Sequence, residues 1–429
     1  MKVHIVGAGP TGLSLAWELL RTGDHEVIIY DQKISAGGSW WEPDTKIRDL
    51  HAHRILFDNA FINFQSLIDE MGLEWHELFE PVNKVDYMKV MLQKLSPVDY
   101  MTFVFLATQV YTQPEIYKHV SLKDAIGVMS KNGKMYVEHL PLVMDGVTWD
   151  VMSAYEFIKS FDHIGLSKIY TQKVSGKVMS DAMEKAVMDA GADFIFGVTL
   201  LDVKYGKNDF VATFSNDIEI NDGLLVLCID NSPALKLIGD NWGPDADKKL
   251  RASTYGAINV ILDYDKPITI KTDLEVSMTT KWNLQPKILS DKKTLSCVIC
   301  DLSEEVLASD PDTLKREVIK QLGVPEPKNA RIAWGSKWED GKWVFSQSSG
   351  VLSLHGQLPF FGECSKVAMC GMMSPRNTPY SSIESATEVS RALSNICFGT
   401  RKPMKSIMVS QVLLFLFVIL IVLTLVYNI

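Results

Sequence analysis

The chain has 429 residues, 47% hydrophobic and 22% charged, which supplies a large core and excludes general disorder. Lys and Arg number 43 against 52 Asp and Glu, for a net charge of −9; with no long basic run, this excludes an electrostatic nucleic-acid binder. Six cysteines in such a length exclude a disulfide scaffold, no sustained repeat period occurs, and roughly 100–200 residues per domain allow two or three domains.

Val3-His4-Ile5-Val6 is a β-branched run, and Gly7-Ala8-Gly9-Pro10-Thr11-Gly12 follows at once. Leu13, Leu15, Ala16, Leu19 and Leu20 then repeat at helical spacing. The order is strand, glycine turn, helix. Gly7 permits the tight turn, Gly9 lets backbone approach a pyrophosphate, and Gly12 lets the helix pack close to the strand. The helix N-terminus offers N–H groups and a positive dipole end to phosphates. A second strand, Glu26 to Tyr30, ends in Asp31, nineteen residues after Gly12. A carboxylate at that spacing accepts hydrogen bonds from ribose hydroxyls. The apolar start is broken by Gly7, Gly9, Pro10 and Gly12, so a cleaved signal peptide is not expected.

Gly37-Gly38-Ser39 follows six to eight residues after Asp31. With that glycine pair the chain resembles the FAD-dependent oxidoreductases of the amine oxidase and phytoene desaturase superfamily. The resemblance implies that Gly7, Gly9, Pro10, Thr11, Gly12, Asp31, Gly37, Gly38 and Ser39 meet the dinucleotide. The family usually has Glu and Arg where this chain has Asp31 and Ser39.

The periodicity predicts a helix over 63–72, mostly helical structure over 85–165, and a helix over 179–190 ended by Gly191. Strands are expected at 192–196, 200–203, 210–214 and 223–229. This segment resembles the superfamily's second contribution to the FAD domain, which implies that backbone near Leu200 meets the adenine. His51 and His53 stand two apart, read as surface or packed residues before any metal or catalytic role. Cys297 and Cys300 fall three apart within a strand pattern, on opposite faces, which disfavours chelation. No metal site is expected. Trp334, Trp338 and Trp343 fit either a pocket wall or a core.

Lys366 to Gly371 reads as a strand, and a helix opens near Ser381 or Ser382 as N-cap. In the superfamily this strand and helix start close the FAD site. The resemblance implies that Gly371, Ser382 and Ile383 meet the flavin, the helix dipole stabilising negative charge on the reduced ring. Met372 stands where the family has an acid, and Ser382 where amine oxidases often have an aromatic residue. No cysteine matches the family's covalent tether, so FAD is expected to be noncovalent.

Ile407 to Val426 is twenty residues without a charge, after Arg401, Lys402 and Lys405. That length at about 1.5 Å per residue suits a transmembrane helix. The expectation is a single-pass C-terminal tail anchor in a lipid bilayer, the flavin domain facing the cytoplasm.

The resemblance touches residues 1 to about 72, 178–240 and 365–397. It implies an α/β fold: a discontinuous Rossmann-like FAD domain (1–80, 176–240, 351–400), an interleaved α+β substrate domain (81–175, 241–350), and an anchor at 407–427. The implied activity is hydride transfer from a C–H bond of a small-molecule substrate, an amine or a lipophilic compound, to FAD, with no acid or base assigned. Two alternatives stay open: a flavin-dependent isomerase or mutase, since Gly37-Gly38 with His51 and His53 loosely resembles UDP-galactopyranose mutases, and a non-catalytic protein with a decayed flavin site.

Overall fold

The β-branched opening forms strand β1 (Lys2–Val6), and α1 (Pro10–Leu20) follows with Gly9 as N-cap and Pro10 at its first position, where proline's fixed φ suits the helix and its missing N–H is not needed. The chain then returns as β2 (Glu26–Asp31). These coordinates of the protein are a computed structural model that describes residues 1–40, 55–82, 93–252, 256–270, 274–289, 291–299, 301–333, 335–345, 354 and 356–427.

Three further strands complete the central sheet: β3 (Asp193–Phe196), β4 (Leu224–Leu227) and β5 (Val367–Met369). The order is β5-β4-β1-β2-β3, and every pairing is parallel. Alternation along the strands supplies two apolar faces. Val3, Ile5, Val27, Ile29 and Val226 enter one cluster with α1, α2 (Ile62–Glu70) and α5 (Ile383–Phe398). Val6, Tyr30, Leu225 and Leu227 enter a second cluster, with an antiparallel ribbon of Leu200–Tyr205, Phe210–Phe214 and Glu219–Ile220.

The rest of the chain forms separate cores. Helices α3 (Lys131–Asp145) and α4 (Ala154–Ile164) belong to a helical region with its own cluster around Leu106, Val137 and Phe157. Strands Leu284–Ile288, Thr294–Ile299, Ile258–Asp263 and Asn329–Ile332 pair antiparallel in that order. Trp343 and Trp338 pack in that region's core, their rings 5.4 Å apart, and Trp343 Nε1 donates to the Ser309 carbonyl. Both therefore serve the core. Cys297 is buried there as a free thiol; Cys300, Trp334, His51 and His53 lie outside the described residues.

The expected tail anchor is corrected. A helix α6 (Val409–Tyr427) forms, yet among the described residues no helix is long and apolar enough to cross a membrane. Of the basic residues expected to flank the span, Arg401 is engaged inside the protein: its Nε donates to Glu18 at 2.9 Å and its Nη2 to Glu70 at 2.7 Å. The start of α6 is docked on α4, where Ser410 N and Oγ donate to Asp162 at 2.7 and 2.8 Å. The bilayer partner and the cytoplasm-facing placement fall with the anchor.

Candidate functional site

The turn between β1 and α1 is built from close backbone approaches. Gly7 has φ 107°, and a Cβ there would meet the Cys228 carbonyl oxygen at 2.3 Å; one on Gly12 would lie 2.0 Å from the Gly7 oxygen. Only hydrogen fits at either position. The Gly9 cap gives α1 no side-chain hydrogen bond, so the helix enters the turn with a bare positive end. Asp31, at the end of β2, is fixed against this turn. Its Oδ2 accepts the Ala8 N–H at 2.7 Å and its Oδ1 accepts the Lys33 N–H at 2.8 Å.

The second glycine loop lies directly on the first. Gly37 N donates to the Ala8 carbonyl at 2.9 Å, and a Cβ on Gly38 would come within 2.7 Å of Gly9 Cα. Lys33 Nζ reaches across to the Gly38 carbonyl at 2.8 Å. Gly9 and Gly38 are thus small because they face each other.

At the other end of the site, Ser382 caps α5 in a capping box: its side chain accepts the Ser385 N–H while the Ser385 hydroxyl accepts the Ser382 N–H at 2.8 Å. Ser390 Oγ donates to the Thr11 carbonyl at 2.9 Å, holding α5 against α1. Gly371 N donates to Ser374 Oγ at 3.0 Å, and Met372 lies beside Ser385.

Between these parts is a cavity of about 480 Å³. Pro10, Thr11 and Ser39 line it on the glycine side, and Met372, Ser382 and Ile383 on the α5 side. Aromatic walls come from Trp40, Phe57, Phe61, Phe79 and Tyr380. Among the described residues that line it, Asp145 carries a carboxyl. Burial pushes its carboxyl up to about 7, against the Ser381 N–H bond and the Arg376 guanidinium, which pull it down. Glu156 is driven up to about 8 by burial. Tyr380 OH and His163 Nδ1 share a hydrogen bond of 2.7 Å, and burial lowers His163 to about 4, leaving a neutral imidazole at neutral pH. Among the described residues no cluster of His, Cys, Asp or Glu could hold a metal ion.

Comparison with known proteins agrees with this geometry. A family model for an NAD(P)-binding Rossmann-like domain matches residues 5–69, and no curated protein matches the chain. Among solved structures, an oxidoreductase from Methanosarcina mazei is similar with TM-score 0.64 at 15% identity, covering 92% of this chain and 100% of its own. Putrescine oxidase bound to putrescine is similar with TM-score 0.61 at 16% identity, covering 93% and 99%. A protein described as a protoporphyrinogen oxidase, from Exiguobacterium sp. 255-15, gives 0.57 at 12%, covering 92% and 98%. This chain shares the fold of these oxidoreductase structures.

Within that fold, the residues singled out from sequence fall in four places. Pro10, Thr11, Ser39, Ser382 and Ile383 line the cavity. Gly7, Gly9, Gly12, Gly37, Gly38 and Asp31 form the turn beneath it. Gly371 ends the β5 strand region without a tight contact, its nearest neighbour for a Cβ being the Ile229 oxygen at 3.5 Å. Leu200 begins the antiparallel ribbon and packs into the cluster with Val6, Tyr30 and Phe214. Beside it, the Val198 N–H donates to the Asp31 carbonyl and the Gly197 N–H to the Lys33 carbonyl. Sequence reasoning missed Asp145, the Tyr380–His163 pair and the Lys33 tether. Asp145 precedes Gly146, a helix stop in the left-handed region, and nothing in the sequence signals that this helix end meets the start of α5.

Proposed function

We propose that this protein is an FAD-dependent oxidoreductase that removes hydride from a C–H bond of a small molecule. The observation that carries the reading is the cavity itself. Residues 10, 11 and 39 and residues 382 and 383, remote in sequence, wall one space that opens from the glycine turn to the N-terminus of α5. A dinucleotide needs both: close backbone and a helix end for its diphosphate, and a second helix end for charge on its ring.

The residues fit FAD. The cradle at Gly7 and Gly12 excludes side chains, Asp31 sits at the turn, and the α1 N-terminus carries no side-chain cap. In this reading Gly7, Gly9, Pro10, Thr11 and Gly12 receive the diphosphate and Asp31 the adenosine ribose. Gly37, Gly38 and Ser39 flank the middle of the cofactor, backbone near Leu200 meets the adenine, and Gly371, Ser382 and Ile383 adjoin the ring. The chain divides accordingly into FAD-binding segments 1–80, 176–240 and 351–400, with substrate segments between. FAD, when bound, supplies the electron sink.

The protein's part is to orient the substrate, exclude water and stabilise charge. The aromatic walls and the side chains of Leu142, Ile164, Met179, Val298 and Ile299 give a dry chamber for a largely apolar substrate. No cysteine is needed as a tether, and binding is noncovalent. The test is a purified full-length chain examined by visible absorbance and acid extraction. Release of FAD into the acid supernatant supports the reading. A colourless protein that takes up no added FAD overturns it.

A further inference from the structure

Asp145 is the last residue of α3, and Gly146 (φ 69°) turns the chain out of the helix behind it. The side chain lines the cavity. Its Oδ1 accepts the Ser381 N–H at 3.3 Å, one residue before the Ser382 cap of α5. Its Oδ2 has no hydrogen-bond partner and is shut off from solvent, and Glu156 Oε1 on α4 is in the same state. A carboxyl therefore stands in the cavity wall beside the helix end that the proposed function assigns to the flavin ring.

Resting on that reading, we propose that Asp145 is a positioning residue whose proton sets how much negative charge the N-terminus of α5 stabilises. With the proton on, Asp145 is neutral and the helix dipole acts unopposed. With the proton released to solvent, a carboxylate lies beside Ser381 and offsets part of the dipole. The groups facing Asp145 are Glu156 from α4 and, from the segment before α5, Arg376 and Tyr380, both of which also face Glu388 of α5. Burial raises the carboxyl to about 7, which puts this exchange in the neutral range.

An ionised Asp145 disfavours added negative charge, so reduction of the bound flavin should carry proton uptake by Asp145 and become harder as pH rises. The test is a dye-coupled reductive titration of the flavin-loaded full chain from about pH 5 to about pH 9, comparing wild type with Asp145→Asn. Asparagine keeps an acceptor for Ser381 N–H but cannot ionise. The two reduction equilibria should coincide at the acid end. At the alkaline end the variant should favour the reduced state by about tenfold, the factor one pKa unit represents.

Glu156→Gln, which alters a residue outside the cavity wall, should shift the equilibrium the same way by less. Asp145→Ser serves the same comparison should the asparagine variant not fold. A yellow wild type whose variant follows it at every pH overturns this assignment alone, as does a Glu156→Gln effect equal to or larger than that of Asp145→Asn. A colourless preparation overturns the FAD reading and this assignment with it.

Discussion

Asp31 Oδ2 accepts the Ala8 N–H at 2.7 Å, so the acid at the end of β2 is bonded to the glycine turn it serves. Its other oxygen holds the Lys33 N–H, and Lys33 in turn reaches Gly38. One carboxylate thereby sets the spacing of both glycine loops. Asp31→Ala should lose bound FAD and also destabilise the flavin-free fold by about 1–3 kcal/mol through two unpaired backbone donors. Asp31→Asn, which retains an acceptor, should lose FAD with a smaller loss of stability. Flavin-to-protein ratio and urea unfolding separate the two effects.

Gly12 tests the cradle against backbone strain in general. A Cβ at Gly12 meets the Gly7 oxygen at 2.0 Å, and neither partner is a side chain that can swing aside. Gly12→Ala should cost about 1–3 kcal/mol by overpacking and weaken FAD binding by about tenfold or more, as a loss of ~1.4 kcal/mol implies. Gly323→Ala is the control. Gly323 has φ 62° and nothing within 4 Å, so its cost is about 1–2 kcal/mol of left-handed strain, with FAD retained. Thermal melts and FAD titration of both variants check this.

The segment after α5 is anchored by a charge network. Arg391 is fully buried; its Nε donates to Glu18 at 2.8 Å and its Nη1 to Asn63 at 3.1 Å. Arg401 also donates to Glu18, and to Glu70. Arg391→Met leaves Glu18, itself buried, short of charge compensation, and should cost about 3–5 kcal/mol in urea unfolding.

Glu70 gives that network its pH dependence. Burial pushes its carboxyl up, but hydrogen bonds from Arg401, Ser66 and Trp17 and the Arg401 charge outweigh it and bring it to about 2. A lowered carboxyl contributes stability above its unfolded value of 4.5 and loses it as pH falls toward 2. Glu70→Gln should therefore be less stable than wild type at neutral pH, the gap narrowing as pH falls through that window. Urea unfolding at a series of pH values reads it directly.

The raised carboxyls act with the opposite sign. Asp145 and Glu156 sit at about 7 and about 8 because of burial, so their contribution is present below the unfolded values of 3.8 and 4.5 and lost as pH rises through the folded ones. Melting temperature of the flavin-free protein should fall from mildly acid to alkaline pH. In Glu156→Gln the fall should be shallower, since glutamine can still accept the Ser153 N–H that Glu156 Oε2 holds at 2.9 Å.

The glycine turn was legible because local sterics dictate it: Gly7 and Gly12 stand where backbone meets backbone, and the β-branched run, helical periodicity and terminal Asp31 all agree with it. Ser382 was legible as a cap for the same local reason. The cavity's recognition chemistry was not. Asp145 meets Ser381, and Tyr380 meets His163, across more than two hundred residues of sequence, and no period or spacing encodes such a meeting. Gly9 also faces Gly38, whose Cα a Cβ on Gly9 would meet at 3.4 Å, a contact set by how two loops fold together. The apolar run at the C-terminus suggested a bilayer, while the engagement of Arg401 with Glu18 and Glu70 depends on tertiary placement that hydropathy does not see.

The central claim is that the space from Gly12 to Ser382 holds one noncovalent FAD. The most direct measurement is calorimetric titration of FAD into stripped full-length protein, run beside Gly12→Ala and Asp31→Ala. One equivalent bound by wild type, with binding weakened in both variants, is the predicted result. Wild-type protein that binds no FAD, or variants that bind it as tightly as wild type, would contradict the account.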